Sequence, residues 1–535
     1  MDKAMEMGKI STAGSVQLFL GTSISTIIRA VGAIILGLLI LESDYGLYTV
    51  ALIPASTLYI VSDWGVGSAL TRYCAKYRGT NELAEQRKII AAGLIFLGAI
   101  GLLLTIVSLL AASFFASTIY HRPTAAFLIT LASVTMFSGG ISSGVASVFT
   151  GFEKMKLNSY LALISAIVYS LLSPLLVYFG YGAVGAIIGY TASSVVLGVI
   201  SIVMLYFFVW KKLPSSKISR SEIVRTLKSL LSYGVPLGIS GIVGSLGTPL
   251  FSFLMASYVS DVMIGNYKVA TNFLILLSFL TGPITTVLFP AFSKLDSRTE
   301  KKLLKTVFVS SVKYTVLLLV PAAMAMVVLA APLIGTLYGS KWSFAPPFLA
   351  VSAIINLLSL VGLRSMGSFL SAMGETRLLL EMSVLSFIIA IPVAFLFVPA
   401  LGIIGMIIGL AAAALPSTFI GLYQIWKRYG AKADFGASAR ILLASSLATG
   451  AVYLFLYSFS AASLVLLVLG SIIFVAVYLI SVPLVGAINQ SDVFNLRTML
   501  SGLGIISRLL EIPLKIIERL LKMRTVGRKD TKTGS

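Results

Sequence analysis

The sequence predicts an all-α polytopic membrane protein of about fourteen transmembrane helices, with two six-helix lobes around a central cavity and two extra C-terminal helices. Three observations lead there. Mean hydropathy is +1.00 over 535 residues, of which 58% are hydrophobic and 11% charged, more apolar surface than a soluble core can bury. Apolar runs repeatedly reach the roughly 20 residues that cross a bilayer. Two motifs recur at nearly the same interval, so the chain reads as a duplicated unit.

The first apolar run begins near Ala13 and continues to Leu41. It is too long for a signal-peptide core and reads as a retained helix. Runs between charged loops place spans near residues 14–41, 46–71, 89–118, 125–150, 158–179, 183–210, 233–259, 262–290, 307–335, 346–372, 378–398, 401–426, 439–459 and 462–487. Bases fall in alternate loops. Arg72, Lys76, Arg78, Arg87 and Lys88 follow the second span; Lys211, Lys212, Lys217, Arg220, Arg225 and Lys228 follow the sixth; Lys294, Arg298, Lys301, Lys302 and Lys305 follow the eighth. Positive residues stay on the cytoplasmic side, so these loops and both termini are expected in the cytoplasm, and the chain in the cytoplasmic membrane. Glu42, Asp44 and Asp261 fall on the opposite side, with Arg122 and Lys341.

The repeat supports this count. Gly46-x-Tyr48-x-Val50-Ala51 opens span two and returns as Gly265-x-Tyr267-x-Val269-Ala270 in span eight, an offset of 219. Gly182-x-x-Gly185-x-Ile187-Ile188-Gly189 in span six returns as Gly402-x-x-Gly405-x-Ile407-Ile408-Gly409 in span twelve, an offset of 220. Six spans per copy preserve orientation, which makes the halves parallel repeats about an axis along the membrane normal. The expected organisation is an N-lobe at 1–210, a basic cytoplasmic linker at 211–232, a C-lobe at 233–428, the last two spans at 429–488, and a cytoplasmic amphipathic helix with a basic tail at 489–535. The glycine motifs read as close helix packing. Prolines inside spans read as tolerated kinks or as hinges, and Pro249 and Pro283 are the stronger hinge candidates. From Ile505 to Lys522 apolar and charged residues alternate at helical spacing, as in a helix lying on the membrane surface, and the basic stretch from Arg524 to Lys532 sits near anionic lipid.

Cys74 is the only cysteine and His121 the only histidine, so no Cys/His metal centre is expected. No cofactor is expected either. No Gly-x-x-x-x-Gly-Lys-Ser/Thr phosphate loop occurs, and no long outer loop presents catalytic acids or bases, so the chain reads as a non-enzyme. Its 40 Lys and Arg against 19 Asp and Glu give a formal charge of +21. In so apolar a chain this excess points to membrane lipids and not to nucleic acid.

Four cations lie inside apolar runs with almost no acid beside them: Arg29, Lys268, Lys313 and Arg364. A cation at bilayer depth costs roughly 2.5–3.5 kcal/mol on insertion scales and faces water, an acid or an anionic ligand. Lys313 lies near the end of its span and reads as snorkelling to the interface. Arg29 is near the middle of span one, Arg364 roughly 13 Å from the cytoplasmic end of span ten, and Lys268 roughly 9 Å below the outer end of span eight. These three form the expected substrate-binding set, suited to phosphate or acidic sugar. Asp63, deep in span two, is the candidate charge partner for Arg29 or Arg364, or a coupling group. Tyr48, Tyr267 and Asn272, with Gln17, Tyr59 and Asn356, are candidate sugar contacts, although hydrogen bonds between helices account for most such residues.

Several stretches resemble the polysaccharide biosynthesis (oligosaccharide flippase) family of the multidrug/oligosaccharidyl-lipid/polysaccharide exporter superfamily. They are Glu42 to Tyr48 (ESDYGLY), Asp63 to Leu70 (DWGVGSAL), Gly151 to Lys154 (GFEK), Tyr233 to Leu237 (YGVPL) and Leu288 to Lys294 (LFPAFSK). The resemblance covers about the first twelve spans. It implies transbilayer movement of a lipid-linked oligosaccharide, a polyprenyl phosphate or pyrophosphate sugar, by alternating access, for surface polysaccharide or glycoprotein glycan assembly alongside glycan-assembly enzymes. The sequence is similar also to the lipid II flippases, whose cavity uses basic residues on the first and eighth helices; Arg29 and Lys268 fall there. The alternative is an ion-coupled antiporter exporting drugs or small metabolites. Its relatives use intramembrane acids, and spans one and seven have no obvious acid.

Overall fold

A computed structural model describes residues 2–215, 218–293, 300–500 and 511–522, and among them there is no strand. The helices in chain order are α1 (Asp2–Leu39), α2 (Glu42–Ile60), α3 (Val66–Gly79), α4 (Leu83–Phe114), α5 (Ala125–Gly151), α6 (Met155–Leu176), α7 (Gly182–Phe208), α8 (Arg220–Ser245), α9 (Gly247–Tyr258), α10 (Asp261–Ser293), α11 (Lys301–Val328), α12 (Ala330–Tyr338), α13 (Ala345–Ile355), α14 (Leu363–Ala372), α15 (Thr376–Tyr429), α16 (Phe435–Ser458), α17 (Ser463–Leu484) and α18 (Gln490–Leu500). Residues 511–522 form one more, α19. Nine continuous helical stretches among the described residues are long and apolar enough to cross a membrane, ten with the bent pair α13–α14. The chain is therefore a multi-pass membrane protein, and the count of fourteen stays an expectation.

The difference in count comes largely from helices that turn or break. Two of the nine stretches, of 58 and 54 residues, run across a turn. At these turns Gly182 has φ 46°, ψ −132° and Gly402 has φ 58°, ψ −128°, a region open to glycine and closed to residues with a Cβ. The rest of each motif packs the two arms. A Cβ at Gly185 would lie 2.9 Å from the Leu176 backbone, and one at Gly189 would collide with Ser173; Gly405 meets the Phe397 carbonyl and Gly409 approaches Val393 at 3.4 Å. Both copies of the motif thus build the same helical hairpin. Span two, expected to be continuous, is instead broken between Ile60 and Val66, where Trp64 (φ 48°) and Gly65 (φ 75°) are successive left-handed residues. α8 and α9 part at Leu246, just before Pro249, whose ring removes the hydrogen bond to the Ser245 carbonyl. The side chain of Pro283 lies outside the described residues.

Contacts divide the chain into two units: residues 1–272 with 387–413, and residues 273–386 with 414–535. In the first, α1 runs beside α6, with Gly21 facing Ser159 and Gly32 facing Ser170, and the Ser170 hydroxyl donates to the Ile28 carbonyl at 2.9 Å. α3, α4 and α5 surround a core that includes Leu70, Ile90, Val148 and Phe149. α2 and α10 cross where neither backbone leaves space for a side chain. A Cβ on Gly46 would collide with the Asp261 carbonyl, and one on Gly265 with the Glu42 carbonyl. Asp261 is the repeat counterpart of Glu42, as Gly265 is of Gly46, so the two contacts are the same contact made twice. A two-fold relation produces that reciprocity. Arg122 secures the same end of the unit: its Nε donates to Asp261 Oδ1 at 2.6 Å, Nη2 to the Val259 carbonyl at 2.5 Å, and Nη1 to the Ala256 carbonyl.

The second unit is built around α11, whose Leu304, Phe308, Val312 and Val320 pack with Phe369, Ile425, Ile441 and Val482. Its α13–α14 span bends by 52° at Gly362, and α5, its repeat counterpart, is unbroken. Lys313 does not snorkel. Its ammonium meets Asp492 Oδ2 of α18 at 2.6 Å, with Asp492 9% exposed, and Asp492 also accepts the Asn489 amide at 2.9 Å. The partner lies 179 residues away, beyond the reach of a reading based on local runs. α19 likewise packs Leu514, Ile517 and Leu521 into this core, leaving Ile512 and Ile516 exposed, so the tail helix adheres to protein by its inner face. Residues 501–510 and 523–535, which include Ile505, Ile506, Arg508 and the Arg524–Lys532 stretch, lie outside the described residues.

Two stability results are expected in detergent solution. Gly46→Ala forces the α2–α10 crossing apart and destabilises by about 1–3 kcal/mol, while Gly241→Ala, with no atom within 4 Å of the new methyl, raises stability by up to about 1 kcal/mol through helix propensity. Equal thermal shifts for the two variants would contradict the crossing. Asp492→Ala leaves Lys313 half-buried and unpaired, a loss of up to about 3 kcal/mol, and adding Lys313→Met restores most of it. No restoration would mean that the pair is not what holds α18.

Candidate functional site

Arg29 projects from α1 between the serines of α6. Its Nη2 donates to Ser165 Oγ at 2.5 Å, and its guanidinium carbon lies 5.7 Å from the centre of the Tyr169 ring. No carboxylate pairs with it among the described residues. A cation over an aromatic face gains about 0.5–2 kcal/mol without losing its charge, so Arg29 is held in place and remains a net positive centre with donors unspent.

From Tyr169 a chain of rings runs through the first unit. Tyr169 meets Tyr190 edge-on at 6.1 Å, Tyr190 meets Tyr48 at 6.4 Å, and Tyr48 stacks on Tyr45 at 5.8 Å. The Tyr45 hydroxyl accepts from Asn272 Nδ2 of α10 at 3.0 Å. One helical turn back along α10 is Lys268, half-buried, whose ammonium makes no ion pair or hydrogen bond among the described residues. α1, α2, α6, α7 and α10 therefore join two uncompensated cations by four tyrosines and an amide. In low dielectric such charges attract anions more strongly than at a wet surface, and the arginine fork suits phosphate.

The remaining candidates fall elsewhere. Tyr48 is 2% exposed, so it supports the wall and does not line a sugar surface. Asn272 spends its amide on Tyr45, and Tyr267 is half-buried beside Lys268. Asp63 makes no ion pair with Arg29 among the described residues. It caps α3 across the break, Oδ1 accepting the Gly67 amide at 2.8 Å, a local role that the sequence Asp-Trp-Gly-Val-Gly signals. Tyr59 donates to the Gly139 carbonyl at 3.1 Å. Arg364 belongs to the second unit, exposed in the first turn of α14, with Nη2 donating to Asn356 Oδ1 at 2.9 Å. The side chain of Gln17 lies outside the described residues. Sequence reasoning missed Ser165, Tyr45, Tyr169 and Tyr190. The Tyr45–Tyr48 spacing, one helical turn, was the one visible signal for them.

Comparison with known proteins agrees with this architecture. The family described as polysaccharide biosynthesis protein matches residues 11–296, a little over half of the chain. The lipopolysaccharide biosynthesis protein WzxC of Escherichia coli (strain K12) is 26% identical over 255 residues, 46% of this chain and 48% of WzxC. The teichuronic acid biosynthesis protein TuaB of Bacillus subtilis (strain 168) is 28% identical over 37% of this chain and 41% of TuaB. The probable low-salt glycan biosynthesis flippase Agl15 of Haloferax volcanii is 21% identical over 52% of this chain and 60% of Agl15. The chain thus spans about half the length of these curated relatives. Among solved structures, the lipid II flippase MurJ in an inward closed conformation shares the fold at TM-score 0.72 and 15% identity, covering 87% of this chain and 98% of MurJ. An inward-facing multidrug resistance MATE family transporter does so at TM-score 0.61 and 17% identity, covering 78% of this chain and 98% of its own. A family match over more than half its length makes this chain a member of the polysaccharide biosynthesis protein family.

Proposed function

We propose that the protein moves a lipid-linked oligosaccharide, a polyprenyl phosphate or pyrophosphate sugar, across the cytoplasmic membrane by alternating access, for surface polysaccharide or glycoprotein glycan assembly. The observation that carries this reading is the pair Arg29 and Lys268: two cations inside apolar helices, joined by a polar aromatic wall and without carboxylates. An anionic headgroup supplies the missing charge, and its lipid tail stays in the bilayer. Arg364 is a third cation assigned to the headgroup. The names of WzxC, TuaB and Agl15, all concerned with polysaccharide or glycan biosynthesis, support the substrate class.

Both termini and the basic loops are assigned to the cytoplasm by the distribution of charge. Enzymes that assemble the glycan are the natural partners on each side. The antiporter alternative requires a membrane acid that binds cations or coupling ions, and Asp63 is already engaged in capping α3.

The test is flipping of a fluorescent lipid-linked oligosaccharide by protein in sealed vesicles. A charge-assisted hydrogen bond contributes about 1.5–3 kcal/mol, so Arg29→Gln and Lys268→Gln each slow flipping by about ten- to a hundredfold, with Arg364→Gln acting in the same direction. Parental rates in all three variants would overturn the headgroup assignment, and ion-driven uptake of an organic cation lost in Asp63→Asn would favour the antiporter.

A further inference from the structure

A second group of unneutralised cations lies on the surface of the first unit, away from the Arg29 path. Arg72 and Lys76 are one turn apart in α3, both exposed. Neither side chain makes an ion pair or hydrogen bond among the described residues, whereas Arg78 meets Glu153 at 2.7 Å and Lys88 meets both Glu85 and Glu222 at 2.9 Å. Aromatic rings take the place of acids. The Arg72 guanidinium lies 4.1 Å from the centre of the Tyr233 ring of α8 and 5.9 Å from that of Tyr73, and Lys76 Nζ lies 5.5 Å from the Tyr77 ring. Tyr73 in turn stacks on Tyr77 at 6.1 Å and meets Tyr233 edge-on at 6.2 Å. The arrangement is built in from below, because Gly234 and Gly238 of α8 sit against the Trp64–Gly65 backbone with no space for a Cβ, which fixes Tyr233 beside α3.

Like charges one turn apart repel. The negative end of the α3 dipole offsets part of that, and ring faces hold a cation without cancelling it. A guanidinium lying on a ring keeps its N–H edge free to donate in its own plane, as bidentate phosphate recognition needs. Residues four apart on a helix share one face, with Cβ atoms about 5–6 Å apart, so both cations are offered from the same side to an anionic phosphate group, and tyrosine is a residue that prefers the boundary between headgroup and acyl chain.

We infer that Arg72 and Lys76, framed by Tyr73, Tyr77 and Tyr233, bind the phosphate of a lipid headgroup. The charge distribution assigns this surface to the cytoplasmic side, and on the flipping reading it is where a lipid-linked diphosphate docks before it reaches Arg29. Two sources share the chemistry, a prenyl diphosphate and an anionic phospholipid.

The experiment measures binding, so it is independent of flipping. Full-length Arg29→Gln protein in zwitterionic nanodiscs, with and without Arg72→Gln or Lys76→Gln, is titrated with farnesyl diphosphate and with farnesol, and retention of phosphatidylglycerol is read in parallel by native mass spectrometry. The expected result is at least tenfold weaker farnesyl diphosphate binding in each added variant, unchanged weak binding of farnesol, and an unchanged unfolding temperature. Loss of phosphatidylglycerol retention alone would identify a phospholipid as the ligand of the same site. Undiminished binding of both phosphates in Arg72→Gln and Lys76→Gln overturns the inference. If the phosphate affinity falls while Arg29→Gln flips at the parental rate, this site stands and the proposed headgroup role of Arg29 fails.

Discussion

The α2–α10 crossing is the constraint on which the first unit depends. Gly46 and Gly265 let two backbones meet, and each touches the residue that starts the other's helix. Only glycine at both places allows this, and only a repeat offset of 219 makes the contact reciprocal. The crossing puts Lys268 and Asn272 of α10 in the same unit as Arg29, Tyr48 and Tyr169. Without it the tyrosine chain would lack its last link, from Tyr45 to Asn272. Arg122 reinforces the seam by binding Asp261 and the carbonyls that end α9.

Charge then separates structure from function. Arg122, Lys313, Arg78 and Arg428 each have a carboxylate within 2.7 Å and are accounted for by folding. Arg29, Lys268, Arg72 and Lys76 do not. Arg29, Arg72 and Lys76 rest on tyrosine rings, which orient a cation at little electrostatic loss. A protein that must hold an anionic headgroup and then release it has reason to avoid carboxylates at these positions, since an internal acid would compete for the same donors.

Much of this was legible in the chain before folding. Hydropathy and the two glycine motifs carried the helical class and the duplication, and the motifs' hairpins and crossing follow from glycine's missing Cβ. Arg29 and Lys268 stood out because a cation in an apolar run has no local explanation. What stayed hidden depends on distant partners. Lys313 resembled a snorkelling lysine because Asp492 lies in the last helices, and Asp63 resembled a membrane acid because its cap forms only when the helix breaks at Trp64–Gly65. Tyr169 and Tyr190 resembled ordinary span residues until α6 and α7 folded back at Gly182 and set their rings edge to face beside α2.

The central claim is that the cations of the first unit serve the anionic linker of a lipid-borne saccharide. The most direct measurement is a mass-spectrometric inventory of lipid-linked saccharides in cells lacking the protein. The account predicts accumulation of a polyprenyl phosphate or diphosphate saccharide, cleared by the parental gene and left in place by Arg29→Gln. An unchanged pool of such lipids on removal of the gene would contradict it.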